Sequence, residues 1–333
     1  MIQTFLIALL FLTFHINSLE TSPYIKSAQK LEIPVYKYAF NPSIIEFNDG
    51  YLLAFRLSPF IKKNPMVSKI GLILLDKDFN PIGNPQLLKI RQEGSKIRDQ
   101  EEDPRLIQIK DKIYISYNDN PEKEVEIGGK RDLYLAEVVY DNFFQFSLRN
   151  KLKLTFPEKP GHEIVEKNWA PFEYEGELYF SYSISPHEVI KPDLSTGICE
   201  KISSVSFDHS FWKKGILRGS TPSIKIDNRY VTFFHSSQSI STSFSFGRKI
   251  KHYFFGAMAF EEKPPFKITH MSHSPLFCDE FFNGTNPKMK IVFPAGIIVK
   301  EHEIIIVYGR DDYEMGICRF DKQQLLDSLK AVQ

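Results

Sequence analysis

The sequence predicts an all-β fold, a five-bladed β-propeller with a short C-terminal helix, and three observations carry that expectation. Phe 29, Tyr 15 and Trp 2 bring the aromatic share to 14%, and such side chains favour a pleated, half-buried surface. A proline-led strand unit recurs five times, as in radially repeated architectures. Only one stretch has a helical pattern. The 333 residues exceed the usual domain size, yet one large all-β domain accommodates them. Lys+Arg 42 against Asp+Glu 41 describes an ordinary folded body and disfavours both a polybasic nucleic-acid binder and an acidic tail.

Taken in order, Phe5 to Phe14 is an unbroken apolar run, short for a bilayer span but right for the core of a secretory signal. Residues 1–18 are accordingly expected to be a signal peptide or a membrane anchor acting through residues 5–14, giving an exported, secreted or membrane-anchored protein. A buried first strand is the competing reading. Residues 19–35 form an N-terminal segment, and 36–333 a single propeller domain. The sequon Asn283-Gly284-Thr285 has meaning only in a glycosylating compartment.

Each unit starts with a polar residue near a proline, continues through an apolar stretch and a short turn, and gives a second strand ending in an aromatic. Its prolines are Pro42, Pro104, Pro171, Pro222 and Pro294, at intervals of 62, 67, 51 and 72 residues, which leaves room for four strands per unit. Proline is tolerated at a strand start, where no ladder bond is lost. The turns Asn48-Asp49-Gly50, Lys110-Asp111-Lys112, Glu175-Gly176 and Asp227-Asn228 have hairpin chemistry. Third strands are expected at 70–75, 133–139 and 253–260. The aromatics Phe55, Tyr117, Tyr182, Phe234 and Tyr308 end the second strands, where stacked blades need bulk. Asp321 to Val332 reads as the helix, with Asp321 as N-cap and Leu325, Leu326 and Leu329 on one face.

Propeller geometry brings the polar residues that begin the inner strands toward one mouth of the channel: Asn41, Asp103, Lys167 with Asn168, and Thr221. Glu101-Glu102-Asp103-Pro104-Arg105 is the sharpest local signal, because a carboxylate enclosed beside other carboxylates acquires the raised pKa of a general acid. Cys199, Cys278 and Cys318 are scattered, with no CxxC pair, so neither a zinc ribbon nor a disulfide scaffold is expected. His270-Met271-Ser272-His273 lacks a third ligand, and no metal site is expected. The Ser-rich stretch from Ser236 to Ser245 reads as a loop rather than a nucleophile elbow. Walker A and G-x-G-x-x-G patterns are absent from the sequence.

The chain resembles glycoside hydrolase family 130 and the related mannosyltransferases of glycosyltransferase family 108. The matching residues are Asn41-Pro42, Arg56, Glu102-Asp103-Pro104-Arg105, Glu166 to Phe172, Gly219-Ser220-Thr221-Pro222, His235, Tyr253 with Gly256-Ala257, and Tyr308 to Asp312. The resemblance implies an inverting enzyme of β-mannosides or related glycans, hydrolytic or phosphorolytic, with Asp103 as general acid acting through a sugar hydroxyl. It implies that Asn41, Arg56, Asn118, Trp169 and Asp312 hold the substrate, Trp169 being open to a stacking or a packing role. Lys167, His235 and Tyr253 match the phosphate or acceptor side. No clear Arg partner for Lys167 is visible, with Lys130 and Arg131 as unaligned candidates, and Arg105 is expected to hold blades together through carboxylates rather than touch substrate. A hydrolytic relative would need a carboxylate base, for which Glu163, Glu166 and Glu173 are candidates. No cofactor is implied beyond inorganic phosphate as co-substrate; export, where free phosphate is scarce, tilts the expectation toward hydrolysis. The expected partner is an oligosaccharide or glycan, not nucleic acid. A mannosyltransferase and a non-catalytic glycan-binding propeller are the alternatives.

Overall fold

A computed structural model describes residues 20–59, 67–91, 99–120, 131–141, 143–157, 165–284 and 286–333. The apolar run at Phe5 to Phe14, Lys130, Glu163 and Thr285 lie outside them. No described helix is long and apolar enough to cross a membrane.

Strand β1 (Ile25–Leu31) is followed by a first four-stranded sheet of β2 (Ala39–Phe47), β3 (Gly50–Leu57), β4 (Lys69–Leu75) and β5 (Pro81–Leu87). The second contains β6 (Glu102–Ile109), β7 (Lys112–Asp119), β8 (Asp132–Tyr140) and β9 (Phe146–Leu154). The third contains β10 (Ala170–Tyr174), β11 (Glu177–Ser183), β12 (His187–Pro192) and β13 (Cys199–Val205). A seven-stranded sheet follows, with β14 (Arg218–Gly219), β15 (Ile224–Ile226), β16 (Arg229–Ser241), β17 (Lys249–Glu261), β18 (Ile268–Met271) and β19 (Met289–Lys290). The last sheet is β20 (Val292–Val299), β21 (Glu303–Arg310) and β22 (Glu314–Asp321), joined by β1. Helix α1 (Lys322–Ser328) and β23 (Lys330–Ala331), which pairs with β18, end the chain.

Apolar clusters form between successive sheets, and one of them joins the first sheet to the last, so the arrangement is propeller-like. The expectation of five like blades is corrected: four sheets have four strands, and the remaining one departs from the pattern. Its inner position is split into β14 and β15 around Ser220 to Ser223. Thr221 bridges the gap, its Oγ1 accepting from Phe233 N (3.0 Å) and its carbonyl accepting from Thr232 Oγ1 (2.9 Å). Strands β16 and β17, 13 residues each, run on together through Ser241 and Lys249. Most of the Ser-rich stretch is therefore paired strand, Ser236 to Ser241 lying opposite Lys249 to Phe254.

The N-terminal segment is also more than a lead-in. Strand β1 lies antiparallel to β22, with Ala28 opposite Cys318 and Leu31 opposite Met315. The helix is shorter than expected, although Asp321 caps it by accepting from Gln324 N (2.9 Å), and Leu325 and Leu326 are buried. Pro42, Pro104, Pro171 and Pro294 sit within the first half of the inner strands rather than at their first residues, and Pro222 lies in the gap between β14 and β15. Register shifts occur at Asn41-Pro42, Asp103-Pro104 and Pro294-Ala295, bulges on edge strands where the missing N–H costs no ladder bond.

The aromatics at the ends of the second strands are buried. Three of them face a glycine on the third strand: Phe55 opposite Gly71, Phe234 opposite Gly256 and Tyr308 opposite Gly316. A Cβ on Gly71 would lie 2.3 Å from the Phe55 ring, so the ring occupies the space that a side chain would need. Gly71→Ala is expected to lower unfolding free energy by about 1–3 kcal/mol in urea titrations, the usual range for overpacking. The loss should shrink when Phe55→Leu is already present, because the smaller side chain removes the clash.

Candidate functional site

The inner-strand bulges set the direction of the first two site residues. Asn41 and Asp103 adopt φ of 47° and 50°, a left-handed conformation that Asn and Asp accept more readily than bulkier residues. Both side chains thereby line a cavity of about 540 Å³ at the mouth of the ring. Asn41 Nδ2 donates to Asp103 Oδ1 (2.8 Å) and lies 3.5 Å from Asp312 Oδ1, linking two carboxyls. Gly309 makes room for this amide, since a Cβ there would stand 1.9 Å from Asn41 Oδ1.

Beside Asp103, Glu102 is 1% exposed and accepts from three cations: Arg56 Nη2 (3.0 Å), Arg131 Nη2 (3.2 Å) and Lys167 Nζ. Burial alone would raise this carboxyl, but Arg56, Lys167 and Arg131 together hold it well below the carboxylate range. Arg56 also reaches Asp103 Oδ1 (3.4 Å), and Lys167 Nζ stands 4.0 Å from Asp103 Oδ2. Burial pushes the Asp312 carboxyl up to about 6, with Arg56 opposing and Asp103 adding to the effect.

The opposite chemistry comes from the seven-stranded sheet. His235 is buried, its Nδ1 2.6 Å from Ser220 Oγ and its ring stacked on Tyr253. Burial, then Arg218, Arg105 and Lys251, push its pKa well below the ordinary histidine value, so the ring is neutral. It meets the cavity as a hydrogen-bonding group, and the charge on this wall belongs to Arg218 and Lys251. Neither has an ion pair among the described residues. Lys251 could have been read from the sequence, since it lies two residues from Tyr253 and shares its strand face. Arg218 gave no such signal; it reaches the site by pairing across the sheet with His235.

Thr221, whose hydroxyl is engaged by Thr232 and Phe233 N, does not line the cavity; the expected acid, substrate and phosphate-side residues all line it except Asn118. That side chain is buried behind the wall, where Nδ2 donates to the carbonyl of Glu166 (2.5 Å), because its strand position faces the loop preceding β10 rather than the axis. Trp169 touches the cavity but is 1% exposed, packed edge-on against Phe180 and Tyr182. Its Nε1 donates to Glu166 Oε2 (3.1 Å), and the Tyr182 hydroxyl donates to the same oxygen (3.2 Å). Glu166 thus stands in the cavity wall, whereas Glu173 binds Gly176 N at a hairpin turn. Arg105 links the second sheet to the seven-stranded one through a backbone carbonyl rather than through carboxylates, its Nε donating across to Ser220 O (2.6 Å). No cluster of potential metal ligands occurs among the described residues.

The raised Asp312 pKa fixes the sign of a pH effect. The folded chain retains a proton that the unfolded chain, near 3.8, has released, so this group's contribution to stability falls as pH rises from about 4 through about 6. Asp312→Asn should remove the loss. Its unfolding midpoint relative to the natural chain is expected to be higher at pH 7.5 than at pH 4.5, measured by thermal denaturation at both.

A family model described as beta-1,4-mannooligosaccharide phosphorylase matches residues 21–331. Among curated proteins, Beta-mannosyltransferase 1 of Komagataella phaffii is 29% identical over 195 residues, 49% of this chain and 28% of that protein. Beta-mannosyltransferase 7 of Candida albicans is 27% identical over 135 residues, 38% of this chain and 19% of that one. The matches therefore span under a third of these longer relatives. Among solved structures, Beta-1,2-mannobiose phosphorylase from Listeria innocua aligns with a TM-score of 0.59 and 18% identity, covering 92% of this chain and 96% of its own. A putative glycosidase from Bacteroides thetaiotaomicron aligns at 0.62 with 15% identity, covering 86% and 87%. Those structural likenesses bear on the fold, while the sequence match reaches from β1 through β23, and on that extent the chain belongs to glycoside hydrolase family 130.

Proposed function

We propose that the chain is an inverting enzyme of β-mannosides in which Asp103 is the general acid and an anion is bound by Lys167, Arg218 and Lys251. In this reading the seven-stranded sheet serves as the fifth blade and supplies the anion side. The observation that carries it is a single cavity lined both by the paired carboxyls Asp103 and Asp312 and by two cations without ion pairs among the described residues, Arg218 and Lys251. A neutral sugar alone gives such cations nothing to neutralise; phosphate does. Phosphorolysis then runs as one displacement. A phosphate oxygen attacks the anomeric carbon from the face opposite the glycosidic bond, the C1–O bond breaks, and the Asp103 proton passes to the departing oxygen through a sugar hydroxyl. The products are the shortened glycan and α-mannose 1-phosphate. Asn41 and Arg56 orient the Asp103 carboxyl, and Asp312 accepts from the sugar.

Glu166 supports a second reading, hydrolysis. It is the one of the three expected base candidates that lines the cavity among the described residues, and Trp169 and Tyr182 orient it. In that mode Glu166 takes the proton of the attacking water. Export of the chain by its first 18 residues belongs with this mode. Transfer from an activated mannose donor uses the same cations and is the third arm of the test.

Protein lacking residues 1–18 is incubated with β-linked oligomannosides alone, with phosphate, and with GDP-mannose. Mannose 1-phosphate appearing only with phosphate, and falling at least about 100-fold in Asp103→Asn, is the expected result. Free mannose released without phosphate and lost in Glu166→Gln would establish hydrolysis instead. Elongation only with GDP-mannose would establish transfer, and glycan binding without turnover under any condition would overturn catalysis.

A further inference from the structure

The three cations on Glu102 come from separate parts of the chain. Arg56 lies on β3, Arg131 precedes β8, and Lys167 lies on the segment leading to β10. Two of them, Arg56 and Lys167, also line the cavity and face Asp103, whereas Glu102 and Arg131 do not line it. Both carboxylate oxygens of Glu102 are occupied, Oε1 by the two guanidinium groups and Oε2 by the ammonium. Lys167 Nζ is thereby held against Glu102 and stands 4.0 Å from Asp103 Oδ2. An ammonium has three donors, so contact with Glu102 leaves donors for a ligand while fixing where they start.

We infer that Glu102 is a positioning residue that holds Lys167 and Arg56 at the cavity wall, so that an anionic co-substrate meets an ammonium already in place and Asp103 a fixed guanidinium. The inference rests on the proposed phosphorolytic reading, and it makes a prediction opposite in sign to simple electrostatics. Removing a negative charge near an anion site should tighten anion binding on Coulomb grounds alone. Loss of positioning should weaken it, because a released lysine must be ordered again each time the anion binds. Arg131, which contacts Glu102 without lining the cavity, fits this arrangement as the far end of the clamp.

The experiment compares the natural chain with Glu102→Gln, Glu102→Asp and Lys167→Met in phosphorolysis, with thermal unfolding to confirm folding. Glu102→Gln is expected to raise the KM for phosphate at least about fivefold while the KM for mannoside changes less than about twofold, a split that general unfolding does not produce. Little further rise in the phosphate KM is expected when Glu102→Gln is added to Lys167→Met, because toward the anion both act through one ammonium. Glu102→Asp keeps the charge but shortens the reach, and should also raise the phosphate KM; it serves where the amide variant fails to fold. Independently of turnover, acetylation of Lys167 by acetic anhydride, followed by mass spectrometry, should quicken at least about threefold in Glu102→Gln as the amine leaves its ion pair. An unchanged or lowered phosphate KM in a folded variant, or unchanged labelling, overturns the inference. Absence of phosphorolysis in the natural chain with faster Lys167 labelling in the variant would instead overturn the functional reading and leave the positioning intact.

Discussion

A carboxylate removed from water requires opposite charge close by, and at Glu102 that requirement draws side chains from separate parts of the ring to one point. Ion pairs of this kind add little net stability, because desolvation offsets much of the attraction. What they specify is placement. The mouth of the ring must bring Arg56, Arg131 and Lys167 together or leave a buried charge without a counterion, and misassembled arrangements of the sheets incur that penalty.

Two recurring backbone devices make this placement possible. The bulges at Asn41-Pro42 and Asp103-Pro104 turn polar side chains toward the axis at the place where the inner strand has no partner on its channel side. Behind them, the paired aromatics and glycines let sheets pack closely enough for the inner strands to approach one another. Bulge and packing are linked directly at Gly309, where the absent Cβ leaves space for the Asn41 amide, so a residue of the last sheet limits the position of one in the first.

The proline-led inner strands, the third strands, the turns and the Asp321 cap were legible because each depends on local chemistry. The outer strands were not. Strand β5 is largely exposed and β13 mixes exposed and half-buried positions, so no apolar alternation marks them, and in β9 the alternation of Phe146, Leu148, Leu152 and Leu154 is broken by Asn150. Strand β1 escaped because its pairing partner is almost the whole chain away. At the site, Asn41, Arg56, Asp103, Lys167 and Asp312 were found by motif, while Arg131 and Arg218 depend on folds of the chain that no local pattern records. Asn118 misled for the converse reason: its residue type suits a sugar, but the side chain points at a carbonyl.

Strand β1 also gives the ring an order of assembly. Ile25–Leu31 is among the first described segments to be synthesised, yet its partner β22 (Glu314–Asp321) follows all five inner strands. Earlier sheets can pack successively during synthesis, but β1 must wait beside them with its ladder groups open. Ring closure is consequently a late, long-range step, slow on the grounds of sequence separation and exposed meanwhile to pairing with other chains. The polar pattern of β1, with Lys26, Lys30 and three further polar or small residues between its apolar ends, suits a strand that spends this interval in water.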